Sequence, residues 1–269
     1  TAPWTRPVNE FVACWGLFTP AEFALMARRH MHLYGTNEDQ FAEIAATIRN
    51  NGARHPQACH YGKFVTPADV LNSRMVADPF HLLDCAMTSE GGAGLVLTSV
   101  ERAQDLDVQP IHLLGGGTDK QGMAYVAAPV WDQYGQVGRR AAQQAFHQAG
   151  LTPDDVDVLE LYDPFSFEII RQLEVFGFCG HGEGGDFAME GHLRMDGRFP
   201  AVTNGGLMSF SHAGLAQLIQ KPISAVQQLR GEYPAELTVS NAKVALTSNG
   251  GSGALFTDVV LLGTQRAEC

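Results

Sequence analysis

From residue 137 to residue 262 the chain alternates two hydrophobic periods. It is helical over 137–149, strand-like over 156–161, helical over 167–176, helical again over 214–230 after glycine-rich loops, and strand-like over 243–248 and 255–262. Few architectures accept that order, because each amphipathic helix must cover a sheet face and each apolar strand must find a neighbour. The alternation predicts an α/β layered domain. "TPDDVD" at 152–157 supplies the Pro-Asp turn chemistry that joins a helix to the next strand.

Upstream the pattern is less regular. Two helical patterns fill residues 20–52 around Gly35-Thr36-Asn37, with Phe41, Ile44, Ala45 and Ile48 at helical spacing, which predicts a helical hairpin. Residues 54–82 carry His55-Pro56, Thr66-Pro67 and Asp78-Pro79 and read as a loop-rich excursion, in which "TPADVL" starts a short helix. "CAMTSEGGAGLVLTSV" then turns through Gly91-Gly92 into a buried-type strand over Leu95 to Thr98, and "PIHLLGGG" predicts a second strand ended by its glycines. A domain boundary is drawn near 118–124, giving units 1–120 and 121–269. The chain opens on Thr1 and runs at once into "APWTRPVNEF", without a cap or strand signal, so a preceding segment is expected.

Composition narrows the function classes. With 269 residues, 45% hydrophobic and 17% charged, the chain can bury a substantial core. Its formal charge of −11 is spread without long runs, which argues against a nucleic-acid surface or an anionic membrane. Cys14, Cys59, Cys85, Cys179 and Cys269 are scattered and odd in number, unlike a disulfide framework, so a reducing cytoplasm is expected. Apolar stretches such as "FVACWGLF" fall far short of the ~20 residues of a membrane helix, and a soluble protein is expected.

Ligands of α/β sheets usually sit at strand-end loops, and three such loops stand out. The first is Tyr162-Asp163-Pro164-Phe165-Ser166, between "VDVLEL" and "FEIIRQLEVF". Tyr162 serves there most easily as a proton or hydrogen-bond donor, since a phenol of pKa about 10 needs help to act as a base. A tyrosine packed at a strand end gives the same pattern, and Asp163 before Pro164 also fits a turn that caps helix 167–176. The second loop, "TNGGLMSFSHAGLAQ", holds Gly205, Gly206 and His212, the last just before a helix expected near Gly214, where backbone N–H groups face an incoming anion. A structural histidine at a helix entry reads identically. The third, "SNGGSGAL", offers Asn249, Gly250 and Gly251 as oxyanion or substrate contacts, although a glycine turn between two strands has the same form.

Other patterns are weak. Cys179, His181 and His192 lack a paired metal-ligand spacing, so no metal is expected. "LLGGGTDK" lacks the Gly-Lys-Ser/Thr order of a phosphate loop. Arg28, Arg29, Arg49 and Lys63 lie in the region that offers a local basic patch for an anionic substrate.

Taken in order, "SRMVADPFHLLDCAMTSEGGAGLVLTSVERA", "LYDPFSFEIIRQLEVFGFCGHGEGGDF", "TNGGLMSFSHAG" and "QQLRGE" resemble the thiolase superfamily, within the branch of sterol-carrier-protein thiolases and bacterial lipid-transfer proteins. The resemblance covers nearly the whole chain and implies a layered α-β-α-β-α fold whose nucleophile-bearing first half precedes Thr1. Where the family has His-Asp-Cys-Phe, this chain reads Tyr162-Asp163-Pro164-Phe165; where it has Gly-His-Pro, Ser211-His212-Ala213; where it has Cys-x-Gly, Asn249-Gly250-Gly251. Thiolysis needs a second thiol to shuttle protons, and neither Pro164 nor Asn249 supplies one.

A phenol, an imidazole and glycine-rich backbone suit a retro-aldol cut of a β-hydroxyacyl-CoA, and the Tyr162 loop is similar to that of the family's steroid side-chain aldolases. The resemblance therefore implies a lyase using Tyr162 and His212, with either as the base, and with Asp163, Gly205, Gly206, Asn249, Gly250 and Gly251 as oxyanion or substrate contacts. The alternatives are an acyltransferase or β-ketothiolase with its cysteine outside these residues, and an inactive scaffold subunit. It further implies a homodimer, a small zinc-ribbon/OB-fold partner that gathers acyl-CoA, and coenzyme A entering only as part of the substrate, with no tightly bound cofactor.

Overall fold

The computed structural model describes residues 19–121, 131, 135–251 and 256–266. The helical hairpin is present as α1 (Thr19–Tyr34) and α2 (Glu38–Arg54), turned at Gly35 with φ +79°. Asn37 fixes the start of α2: its side chain accepts from the Gln40 N–H at 3.2 Å, and Gln40 Oε1 accepts from the Asn37 N–H at 3.0 Å. Phe41, Ile44, Ala45 and Ile48 form the buried face of α2. The excursion holds α3 (Pro67–Asn72), opened by Pro67 and capped by Thr66, and a small antiparallel pair, β1 (Met75–Ala77) with β2 (Phe80–His81).

Two upstream readings change. The buried strand expected over Leu95 to Thr98 is not one: residues 91–99 are exposed, Val96 by 92% and Leu97 by 82%, ahead of a one-turn helix α4 (Val100–Ala103). Hydrophobicity marks a segment that would gain from a sheet edge, and no described strand lies beside this one. Nor do glycines end the next strand. β3 (His112–Lys120) runs straight through them, because a Cβ on Gly115 or Gly117 would stand 2.2 Å from the Ala145 carbonyl oxygen or 2.3 Å from that of Ala141. Those glycines let α5 (Arg139–Ala149) lie directly on the strand.

The rest follows the predicted alternation: β4 (Val158–Glu160), α6 (Ser166–Phe176), α7 (Gly184–Met189), a π-helical turn over Gly206–Phe210, α8 (Gln217–Leu229), β5 (Val244–Gly251) and β6 (Phe256–Gly263). The strands pair in the order β3-β6-β5-β4, with β4 parallel to β5 and the other two pairings antiparallel. Because β3 pairs with β6 from His112 to Lys120, this sheet begins ahead of the boundary drawn at 118–124.

Strand alternation divides the apolar residues between two faces. Val158, Ala245 and Leu262 pack with Ala225 and Leu229 of α8, while Leu159, Leu246 and Leu261 join Ala141, Ala145 and the wholly buried α6. The described layers are thus helix, sheet and helix, in an α/β fold whose β4 and β5 end at the predicted loops.

Candidate functional site

The ladder between β4 and β5 stops at Glu160 opposite Thr247, two residues before Tyr162. Side chains then take over the backbone. The Tyr162 N–H donates to Ser248 Oγ at 3.1 Å and to Gln172 Oε1 at 3.3 Å, and its carbonyl accepts from Gln172 Nε2 at 2.6 Å. The Tyr162 ring, 5% exposed, lies against Gly250, where a Cβ would stand 3.1 Å from its Cδ1. The structure therefore brings Tyr162 and Gly250 into contact.

Asp163 is turned into the protein interior. It is fully buried and accepts from the Leu207 N–H at 2.9 Å, the Met208 N–H at 3.1 Å and the Lys221 ammonium at 2.6 Å. It holds the start of the π-helical turn and does not cap α6, whose N-cap is Phe165. Gly205 and Gly206 likewise make close packing contacts. At φ +94°, Gly205 sits so close to α2 that a Cβ would stand 2.3 Å from Gly52 Cα, and one on Gly206 would stand 2.4 Å from Asp163 Oδ2.

His212 is partly buried and firmly oriented. Its Nδ1 lies 2.7 Å from the Met87 carbonyl oxygen. A carbonyl only accepts, so Nδ1 carries the hydrogen, and in the neutral tautomer this leaves the lone pair on Nε2. The His212 N–H donates to Ser89 Oγ at 2.9 Å, and Ser89 N–H donates back to the His212 carbonyl at 3.1 Å. The helix expected near Gly214 begins there as a 3₁₀ turn over Gly214–Ala216, which runs directly into α8 at Gln217.

Residues 85–89 connect the first two loops. Cys85 bridges to Phe165, Ala86 N–H donates to the Pro164 carbonyl at 2.8 Å, and Met87 N–H donates to that of Leu207 at 3.1 Å, before Met87 and Ser89 engage His212. Sequence reasoning missed this segment and the pair Gln172 and Ser248, because backbone carbonyls leave no signature and an amide inside a helix reads as surface. The only available signal for Ser248 is its place one residue before Asn249.

The third loop is largely strand. Gly250 and Gly251 pair with Thr257 and Phe256, and residues 252–255 lie outside the described residues. Asn249 donates from Nδ2 to the Leu218 carbonyl at 2.9 Å, while its buried Oδ1 accepts no hydrogen bond among the described residues.

Thiols and charges complete the surroundings. Cys85, beside the Tyr162 loop, points its sulfur 3.3 Å from the His81 carbonyl; burial and then Asp84 push its pKa up to about 12. Cys179 is pushed up to about 12 by burial and Glu174, and Cys59 is exposed. Arg49 leaves the proposed basic patch. It is buried and donates to the Leu83, Met208 and Cys85 carbonyls at 2.7–2.8 Å, whereas Arg28, Arg29 and Lys63 are exposed. His181 and His192 face Glu174 and Glu190, at 3.6 and 3.1 Å. Among the described residues no helix is long and apolar enough to cross a membrane.

Residues 127–264 match the family described as thiolase C-terminal domain-like. The chain belongs to that thiolase-like family. Within it, the chain is 35% identical over 260 residues to a steroid side-chain-cleaving aldolase of Thermomonospora curvata, covering 94% of this chain and 64% of that protein. It is 38% identical over 235 residues to a 17-hydroxy-3-oxo-4-pregnene-20-carboxyl-CoA lyase of Mycobacterium tuberculosis, covering 83% and 58%. An acetyl-CoA acetyltransferase of Methanothermobacter thermautotrophicus is 36% identical, covering 93% and 64%. A solved Ltp2-ChsH2(DUF35) aldolase superposes with a TM-score of 0.86 at 30% identity, covering 98% of this chain and 69% of that one. This thiolase-like chain thus spans about three fifths of the length of those curated relatives, in the branch that includes the steroid side-chain aldolases.

Proposed function

We propose that this chain contributes the acid/base residues of a thiolase-fold lyase, which cleaves a β-hydroxyacyl-CoA with a steroid side chain into a ketone or aldehyde and a shorter acyl-CoA. The supporting observation is the contrast within residues 85–89: Met87 holds His212 with Nε2 as its basic atom, while the Cys85 thiol turns to His81 and stays protonated. His212 Nε2 takes the β-hydroxyl proton. As the carbonyl forms, the bond between the α and β carbons breaks and its electron pair passes to the thioester enolate; the Tyr162 phenol protonates the α carbon, and the His212 proton returns to tyrosinate through solvent. No covalent acyl-enzyme is needed. Asn249 Oδ1, buried and without a described donor, is the assigned acceptor for a substrate hydroxyl.

The names of the two lyase relatives support the steroid substrate and its CoA thioester, and the DUF35 component of the superposed aldolase supports a small acyl-CoA-gathering partner. A homodimer and a cytoplasmic setting belong to the same proposal; the three described cysteines are free thiols. Replacement of Tyr162 by Phe tests the assignment. Cleavage should fall about 100- to 10,000-fold while binding of the CoA thioester persists; turnover like that of the unaltered protein removes Tyr162 from the mechanism.

A second reading, an acyltransferase with its cysteine outside the described residues, is favoured by the 36% identity to the acetyltransferase. It predicts a cysteine whose labelling by iodoacetamide is blocked by acyl-CoA.

A further inference from the structure

Gln172 is a fully buried amide near the middle of α6, and every polar atom of its side chain is committed. Oε1 accepts from the Tyr162 N–H and the Ser248 hydroxyl; Nε2 donates to the Tyr162 carbonyl at 2.6 Å and to the Glu168 carbonyl at 3.0 Å. One carboxamide therefore reads both backbone groups of a single residue, as a neighbouring strand would.

The parallel register places Tyr162 opposite Asn249, two positions past the last pair of β4 and β5. Had the ladder continued, β5 would meet that backbone. Instead Ser248 reaches the Tyr162 N–H through its hydroxyl, and the chain is free to turn at Pro164 while the ring stays against Gly250. A core that needed only to be filled would use leucine at 172, since a buried amide brings four hydrogen-bond requirements that a hydrocarbon does not.

We infer that Gln172 and Ser248 are positioning residues for Tyr162: together they replace the sheet ladder and fix the phenol in the geometry its proton transfer requires. This rests on the lyase reading above, through the role of Tyr162. Neither side chain reaches the substrate; both act through the tyrosine backbone. A displacement of about 1 Å at a reacting group is enough to cost about 100-fold in rate.

A double-mutant cycle on turnover of a β-hydroxyacyl-CoA separates this from a packing role. Gln172→Met keeps the volume and removes both hydrogen-bonding ends; it should lower kcat by about 100-fold and leave KM within about twofold. In a Tyr162→Phe background the same change should lower the residual rate by less than about twofold, because the group it positions is already gone. Ser248→Ala, which deletes one hydroxyl, should show the same non-additivity with a smaller first effect, and it serves if Gln172→Met does not fold.

Equal losses in both backgrounds, or a loss confined to KM, overturn the inference and leave the lyase reading intact. Tyr162→Phe with unaltered turnover overturns the lyase reading itself, and the inference with it.

Discussion

Lys221 places its ammonium 2.6 Å from Asp163 Oδ1, and both side chains are wholly excluded from solvent. The pair joins α8 to the loop that carries Tyr162, and the remaining Asp163 contacts are backbone N–H groups of the turn leading to His212. A buried ion pair adds little net stability over an apolar one, but removing one partner leaves a charge with no solvent to turn to. Lys221→Met should therefore destabilise the protein by about 3–5 kcal/mol at pH 7 in urea unfolding. A loss below about 1 kcal/mol would show that the Asp163 charge is met by the backbone groups alone.

Glu160 lies behind this pair, fully buried, accepting from the Thr203 N–H at 3.1 Å and from its hydroxyl. Burial raises its carboxyl pKa above the ordinary glutamate range, against the opposing pull of Lys221. The folded protein thus keeps a proton that the unfolded chain releases. The associated stability is full below the ordinary glutamate pKa and is lost as pH rises toward the folded value. Glu160→Gln should flatten the decline in stability as pH rises above the ordinary glutamate range, leaving the part due to Asp84, Glu168 and Asp258, which burial shifts in the same direction. An unchanged slope in paired denaturant titrations would contradict this.

Cysteine labelling provides a separate check on the site chemistry. With a pKa of about 12, Cys85 and Cys179 hold only about one thiolate in 10,000 molecules at pH 8. Iodoacetamide should modify exposed Cys59 far faster than either, as read by peptide mass spectrometry. Rapid labelling of Cys85 in the folded protein would mean that its sulfur leaves the His81 carbonyl and is available as a nucleophile.

Gly205→Ala should cost at least about 2 kcal/mol, since the new Cβ meets both a positive φ and the Gly52 backbone at 2.3 Å. Gly150→Ala is the control. It carries φ +65° with nothing within 4 Å, so it should cost only the backbone strain of about 1–2 kcal/mol. Equal losses in thermal unfolding would show that the approach of α2 to the turn is not tight.

How far the sequence could be read follows from what each residue advertises. Periodicity located the hairpin, the helices and the strands, because Phe41, Ile44 and Ile48 fall on one face of α2 wherever it packs. It failed at Leu95 to Thr98, since hydrophobicity states what a segment would gain and not whether a neighbour is present. The loops of Tyr162 and His212 were legible as strand-end and glycine-rich punctuation. The internal contacts of Asp163, Gly205 and Gly206 were not: a carboxylate before proline, or a glycine pair, reads the same whatever it packs against. Arg49 looked like a surface cation because nothing in its neighbours announces three carbonyls around its guanidinium. Met87 matters through a carbonyl, which every residue has.

Intact-mass analysis of the protein quenched during turnover of a β-hydroxyacyl-CoA tests the lyase account most directly. The account predicts a ketone or aldehyde and a shortened acyl-CoA, with the mass of the protein unchanged at every time point. An acyl group retained on a cysteine in step with turnover would contradict it.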